Sequence, residues 1–362
     1  MKKRKTWIVI SILLLLAPFI YFLASMKEEQ VKLDTPLENF IWHEMVFENQ
    51  TLKTHFKPEK EAYSLSESLG LWMEYAVLTE HEVLFEKAYQ QLNKLFLSQV
   101  DLVHWRVLQN GEPTEYVNAL LDDLRIVNAM LDANELWGVR KYKRVAKEIT
   151  SALVSYGTHQ SIFIDFYDWE YRTKIHSLSL VYLDVKTIRK LHQLGWVDTS
   201  LLTNMEAIAL TISKKEGPLY PTVYDVDLDL YIYSENVNMI EQVYTAYHLA
   251  SAGYSTDHFY RFIKNEFIEQ EKLFGQYEVI SMKPSVNFES PALYGISIIY
   301  ALSLNDHDFA LMLYNRMKHF QLKAGSYQGA YMDTEADDTH IFDNLLPLIA
   351  ERRLKQSEAD QQ

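Results

Sequence analysis

The chain of 362 residues contains no cysteine, which removes disulfides, thiolate metal sites, thiol nucleophiles and a lipid anchor on cysteine. Glycine and proline are scarce, at 11 and 9. That is too few for a turn-rich sandwich, a propeller or a collagen-like array, and it favours helices. Positive charge is also short: 35 basic residues face 49 acidic ones, a net −14, so the chain would repel a nucleic-acid backbone. No Walker loop, dinucleotide glycine fingerprint, Gly-x-Ser-x-Gly elbow or His-Glu-x-x-His pair occurs. The enzymatic chemistry that survives is carboxylate chemistry.

What is present begins at the N-terminus. Met1-Lys2-Lys3-Arg4-Lys5 precedes an almost uncharged apolar run from Trp7 to Met26, about 20 residues and long enough to cross a bilayer as a helix. Basic residues before it and Glu28 and Glu29 after it orient the remainder outward. The segment 1–26 is therefore expected to be a membrane anchor, through residues 7–26, or a signal peptide, with Leu23-Ala24-Ser25 as a poor cleavage site. Either way the bulk of the protein is extracytoplasmic, membrane-anchored or secreted. Without residues 1–26 the chain keeps 31 basic and 49 acidic residues.

Beyond that segment, apolar residues recur at helical spacing and strict alternation is rare. Helices are expected near 36–47, 64–79, 82–98, 117–135, 139–156, 173–193, 198–213, 235–252, 256–270, 290–304, 306–320 and 340–352. Start signals include Ser64 with Glu67, Asp198, Ser234, Thr256 and Asp306; stop signals include Gly157, Gly195, Gly253 and Gly325. No linker divides the twelve, so residues 27–355 read as one all-α domain, with 356–362 as a frayed tail. Twelve helices in six hairpins close into an (α/α)6 toroid whose long connections, 99–116, 157–172, 214–234 and 271–289, gather at one mouth. An open helical solenoid is the alternative.

Three acidic sites stand out. Glu67 follows Ser64-Leu65-Ser66, which spells a capping box; on the rim of a cleft the same carboxyl would be a proton donor. Asp122 and Asp123 are adjacent inside an expected helix, close to Arg125. They either complement the helix dipole or grip sugar hydroxyls. Asp225, Asp227 and Asp229 alternate in a long connection. They lack the glycine and the later glutamate of a calcium loop, so no metal and no cofactor is expected, and one of them is a candidate base. Cleaving a glycosidic bond needs such a pair: an acid for the leaving oxygen and a carboxylate for water or the sugar.

These residues resemble glycoside hydrolase family 8. Ser66-Glu67 with Gly70 and Met73 is similar to the family's Ser-Glu-x-x-Gly-x-x-Met segment, which carries its general acid. Asp123-Leu124-Arg125-Ile126 with Leu136-Trp137-Gly138 resembles its Asp-Ala-Asp-Leu helix, and Phe342-Asp343-Asn344 its last helix. The resemblance implies an (α/α)6 toroid and endo-type, inverting, metal-free cleavage of a β-linked polysaccharide. Glu67 would be the acid, Asp123 or Asp122 would steady the sugar, and Asp227 would be the base, with Asp225 and Asp229 as alternatives. Leu121 stands where the family has its first aspartate. That departure implies a divergent branch of the kind associated with bacterial exopolysaccharide.

Sugar rings stack on aromatic side chains, so Trp72, Trp105, Tyr167, Trp169, Tyr171 and Tyr224 are subsite candidates beside Arg125, Asp122 and Asp225. His176 and His248 read as core residues, and the acidic run 333–338 as a solvated loop. Two other functions fit the pattern: a polysaccharide lyase using Tyr and His, and a non-catalytic polysaccharide-binding or assembly subunit.

Overall fold

The computed structural model of the chain describes residues 33–57, 63–332 and 338–360. The expected apolar span at 7–26 and the acidic run up to residue 337 lie outside them. Twelve α-helices are found among the described residues: α1 (Pro36–Glu44), α2 (Ser66–Leu78), α3 (Glu82–Gln91), α4 (Leu120–Trp137), α5 (Arg140–Tyr156), α6 (Val185–Gln193), α7 (Thr199–Ser213), α8 (Met239–Ser251), α9 (Asp257–Gln270), α10 (Pro291–Ser303), α11 (His307–Met317) and α12 (Phe342–Asp360). None is long and apolar enough to cross a membrane.

Packing sorts them into two layers. α2 packs on α4, α4 on a 3-10 turn at Leu180–Tyr182, that turn on α8, α8 on α10, α10 on α12, and α12 returns to α2. This inner ring is closed. α1, α3, α5 and α11 each pack on an inner partner, α6 packs on α8 and α7 packs on α6, and Phe259 and Phe267 of α9 reach Tyr300 and Tyr294 of α10. The sequence accounts for the sorting. α10 has no charged residue, and everything from Ala292 to Ala301 is buried. α5 buries only Tyr142, Val145, Ala146, Ile149, Thr150, Ala152 and Leu153, the one-sided stripe of a helix on a surface.

Short antiparallel strands decorate the mouth. β1 (Tyr63–Leu65) pairs with β2 (Arg106–Leu108) and leads into α2. β3 (Thr158–His159) pairs with β4 (Ile162–Phe163), and β5 (Tyr167–Asp168) with β6 (Thr173–Lys174). β7 (Ser177–Ser179), β8 (Val223–Asp225) and β9 (Leu230–Ile232) form a three-stranded sheet that leads into the 3-10 turn. β10 (Asn236–Asn238) pairs with β11 (Gln276–Glu278) and leads into α8. The strands thus collect at the N-terminal ends of inner helices.

Four local expectations are corrected. The helix expected over 173–193 begins only at Val185; Ser177-Leu178-Ser179 alternates and pairs with Val223–Asp225 instead. The capping box at Ser64 does not form. Leu65 is the N-cap of α2, and the Ser64 hydroxyl donates to Thr51 Oγ1 at 2.7 Å. α8 is capped by Asn238 rather than Ser234. The final helix runs on to Asp360, tied to α2 by Arg353 on Glu74 and Gln356 on the Leu78 carbonyl.

Candidate active site

Glu67 sits at the second position of α2, and with no capping partner its carboxyl faces a cavity of about 740 Å³. Leu121, Ser179, Tyr182, Val223, Glu241 and Tyr244 share the wall, and Phe342 closes one side. Glu67, Leu121, Glu241 and Phe342 come from the first turns of α2, α4, α8 and α12, Tyr244 from the second turn of α8, Tyr182 from the 3-10 turn, and Ser179 and Val223 from β7 and β8. The N-terminus of a helix carries a partial positive charge, so a ring of such ends accommodates several carboxylates around one hollow.

Behind Glu67 lies a buried network. Ser66 Oγ donates to Asp122 Oδ2 at 2.7 Å, and Arg125 Nη1 donates to Asp122 Oδ1 at 3.1 Å. Gly70, one helical turn beyond Glu67, makes room for this. A Cβ there would lie 3.1 Å from Arg125 Cδ and 3.3 Å from Ile126 Cγ1. The Glu-x-x-Gly spacing therefore lets the stem of Arg125 pass under the acid. Desolvation first, and then the Asp122 charge, push the Glu67 carboxyl up to about 7, against the pull of Arg125. Burial also raises Asp122, opposed by Arg125 and Ser66.

Asp123 does not line this hollow. It is fully buried, accepts from Asn118 Nδ2 at 2.7 Å, and is raised well above the carboxylate range by desolvation. Of the two adjacent aspartates, Asp122 is thus the one beside Glu67. Leu121 and Tyr244 also line a second cavity, of about 750 Å³, and form the partition between the two.

The structure does not bring the loop acids to Glu67. Asp225, Asp227 and Asp229 do not line the cavity. Asp225 Oδ1 accepts the backbone amides of Asp227 and Leu228, and Asp229 accepts from the Tyr224 hydroxyl. Asp227 is held by His159 Nε2 and His176 Nδ1, each at 2.7 Å. Those contacts pull it below the usual carboxylate range, the wrong direction for a base. The second cavity carboxylate is Glu241, in the first turn of α8, which opens towards solvent and is raised by desolvation. Tyr182 lines the same cavity: its hydroxyl is held above the phenol range by burial, then by Asp122, Asp165, Glu67 and Glu241.

The expected aromatic subsites are corrected in part. Trp72 is buried and stacks between Trp42 and Tyr75, and Tyr224 is buried beside Tyr231. Tyr167 stacks on Tyr156, and Trp169 packs on His104; both are half-buried outside the cavity wall. Trp105 and Tyr171 are exposed. The aromatic side chains that do line the cavity are Tyr182, Tyr244 and Phe342. Sequence reading missed Glu241 and Tyr182. A carboxylate three positions after the cap Asn238 was the available signal for Glu241. Tyr182 was hidden by the overlong helix. His248 is buried as expected, whereas His176 is an exposed member of the Asp227 cluster.

No family model matches the chain. It is 34% identical over 322 residues to a Bacillus subtilis protein named "Putative lipoprotein YdaJ", covering 88% of this chain and 86% of that one. The chain belongs to the YdaJ family. Among solved structures, a novel alpha-amylase from Clostridium perfringens superposes with a TM-score of 0.81 at 24% identity, covering 88% of this chain and 96% of that one. A family 8 glycosyl hydrolase from Klebsiella pneumoniae, an endoglucanase, superposes with a TM-score of 0.63 at 15% identity, covering 91% and 100%. The YdaJ-family chain therefore has the fold of glycoside hydrolase family 8, as its motifs implied, in a divergent form that carries Leu121.

Proposed function

We propose that this YdaJ-family protein is an extracytoplasmic glycoside hydrolase that cleaves a β-linked bacterial exopolysaccharide within the chain and with inversion. The observation that supports it most is the pairing of Glu67 and Glu241 on the wall of one cavity. Glu67, held near 7, keeps its proton in mildly acidic medium and delivers it to the bridge oxygen. Glu241, on the wall of the same cavity, takes a proton from the attacking water, and Tyr182, on that wall too, orients that water. In an inverting enzyme the two carboxyls leave room for it. Asp122 and Arg125 set the proton affinity of Glu67 from behind, and Phe342 and Tyr244 offer apolar faces to sugar rings. With no cysteine in the chain, a lipid on cysteine is excluded, and residues 1–26 serve as a membrane anchor or as a signal peptide.

Reducing-end release from β-glucan, xylan, α-glucan and purified exopolysaccharide tests the reading, the α-glucan because of the amylase neighbour. Glu67→Gln and Glu241→Gln should each lower turnover by about 10²–10⁴-fold, while Asp227→Asn stays within a few-fold of the parent. Full activity of Glu67→Gln would remove the acid, and loss in Asp227→Asn alone would move the base to the hairpin. Leu121, in place of a sugar-gripping aspartate, favours a second reading as a polysaccharide-binding subunit. That reading predicts polymer binding without any product.

A further inference from the structure

We propose that His159, His176 and Asp227 form a divalent transition-metal site, best suited to zinc, that clamps the wall of the cleft. The three side chains come from separate segments: His159 from β3, His176 from just before β7, and Asp227 from the turn after β8. Their donor atoms, one from each residue, all lie within 4.8 Å of one another. Two imidazole nitrogens and one carboxylate oxygen are a donor set that zinc accepts at about 2.0–2.2 Å, with a fourth position left for water. Opening the present 2.7 Å contacts by roughly half an ångström fits that geometry. The rings, now stacked at 3.8 Å between centroids, would splay slightly, and at an exposed site nothing buried has to move.

The cluster is held from behind. Asp225 Oδ1 fixes the backbone of Asp227 and Leu228, and the Val226 amide donates to the His176 carbonyl at 2.9 Å. Gln160 and Ser161 are the two central residues of the β3–β4 hairpin, both with the positive φ that such a tight turn requires, so His159 is presented at the edge of a short, fixed turn. A metal here would fasten the β3–β4 hairpin to the β7–β8–β9 sheet, which supplies Ser179, Thr222 and Val223 to the cavity.

Calorimetric titration of the full chain with zinc chloride tests the site, and the absence of cysteine means that only nitrogen and oxygen donors can respond. One zinc per chain is expected, with a rise in Tm of about 3–6 °C at a hundredfold excess over the dissociation constant. Asp227→Asn and His176→Ala should each weaken binding at least about tenfold. His55→Ala, at the separate His55–His340 contact, should leave binding unchanged. Far-UV circular dichroism checks that the variants fold. No saturable binding in the parent, or binding that survives both cluster variants, overturns the proposal. Because the readout is binding, the outcome is independent of whether the cavity hydrolyses a glycoside.

Discussion

A carboxyl raised from 4.5 to about 7 makes opposite demands on function and stability. Folding favours its protonated form, so the stabilising contribution is complete below the unfolded value and is lost as pH rises through 7. Glu67→Gln removes that loss. Its Tm should equal or exceed that of the parent at pH 8, by up to about 3 kcal/mol in stability, and the difference should vanish near pH 4. Thermal melts at the two pH values, set beside turnover, separate a residue kept for chemistry from one kept for packing. Asp122 tunes the same proton. Asp122→Asn removes a neighbouring negative charge and frees Arg125 to face Glu67, and both changes lower the acid. The descending limb of kcat/KM, expected near pH 7 in the parent, should therefore move to lower pH. An unmoved limb would mean that the titrating group is not Glu67.

Between α10 and α12, glycine permits a close backbone approach. A Cβ on Gly295 of α10 would lie 2.7 Å from the Leu346 carbonyl carbon and 2.8 Å from Pro347 N in α12. Backbone cannot retreat as a flexible side chain can. Gly295→Ala should cost about 1–3 kcal/mol or more, seen as a Tm lower by roughly 2–10 °C; an unchanged Tm would show that the two helices do not meet this closely. Element by element, the helices were legible because inner and outer ones bury different fractions of their faces. α10 reads as a continuous apolar run and α5 as a stripe. The 173–184 segment was misread because its strands are two or three residues long, too short for alternation to outweigh neighbouring helical spacing. The capping box at Ser64 was a correct local pattern overridden by pairing of β1 with β2. Half of the site was legible for a related reason. Glu67 and Asp122 lie in motifs local to the chain. Glu241 and Tyr182 join them only through ring closure, which no short window contains.

At the scale of the whole molecule, the toroid points the N-terminal ends of four inner helices at one cavity and sets Glu67 and Glu241 on its wall. Glu67, Asp122, Asp165 and Glu241 all act on Tyr182, and the chain as a whole carries −14. Field lines from a cleft of one sign focus outward, so a polyanion meets repulsion both at a distance and at the point of cleavage. A neutral polysaccharide meets neither. Initial rates on a neutral polymer should therefore change little between low and 0.15 M salt, where the Debye length falls to about 8 Å. Any rate on a uronate-rich polymer should be lower and should climb with added salt as the repulsion is screened. Equal rates on the two polymers at low salt would mean that bound cations neutralise the cleft, and substrate choice would then rest on shape rather than charge.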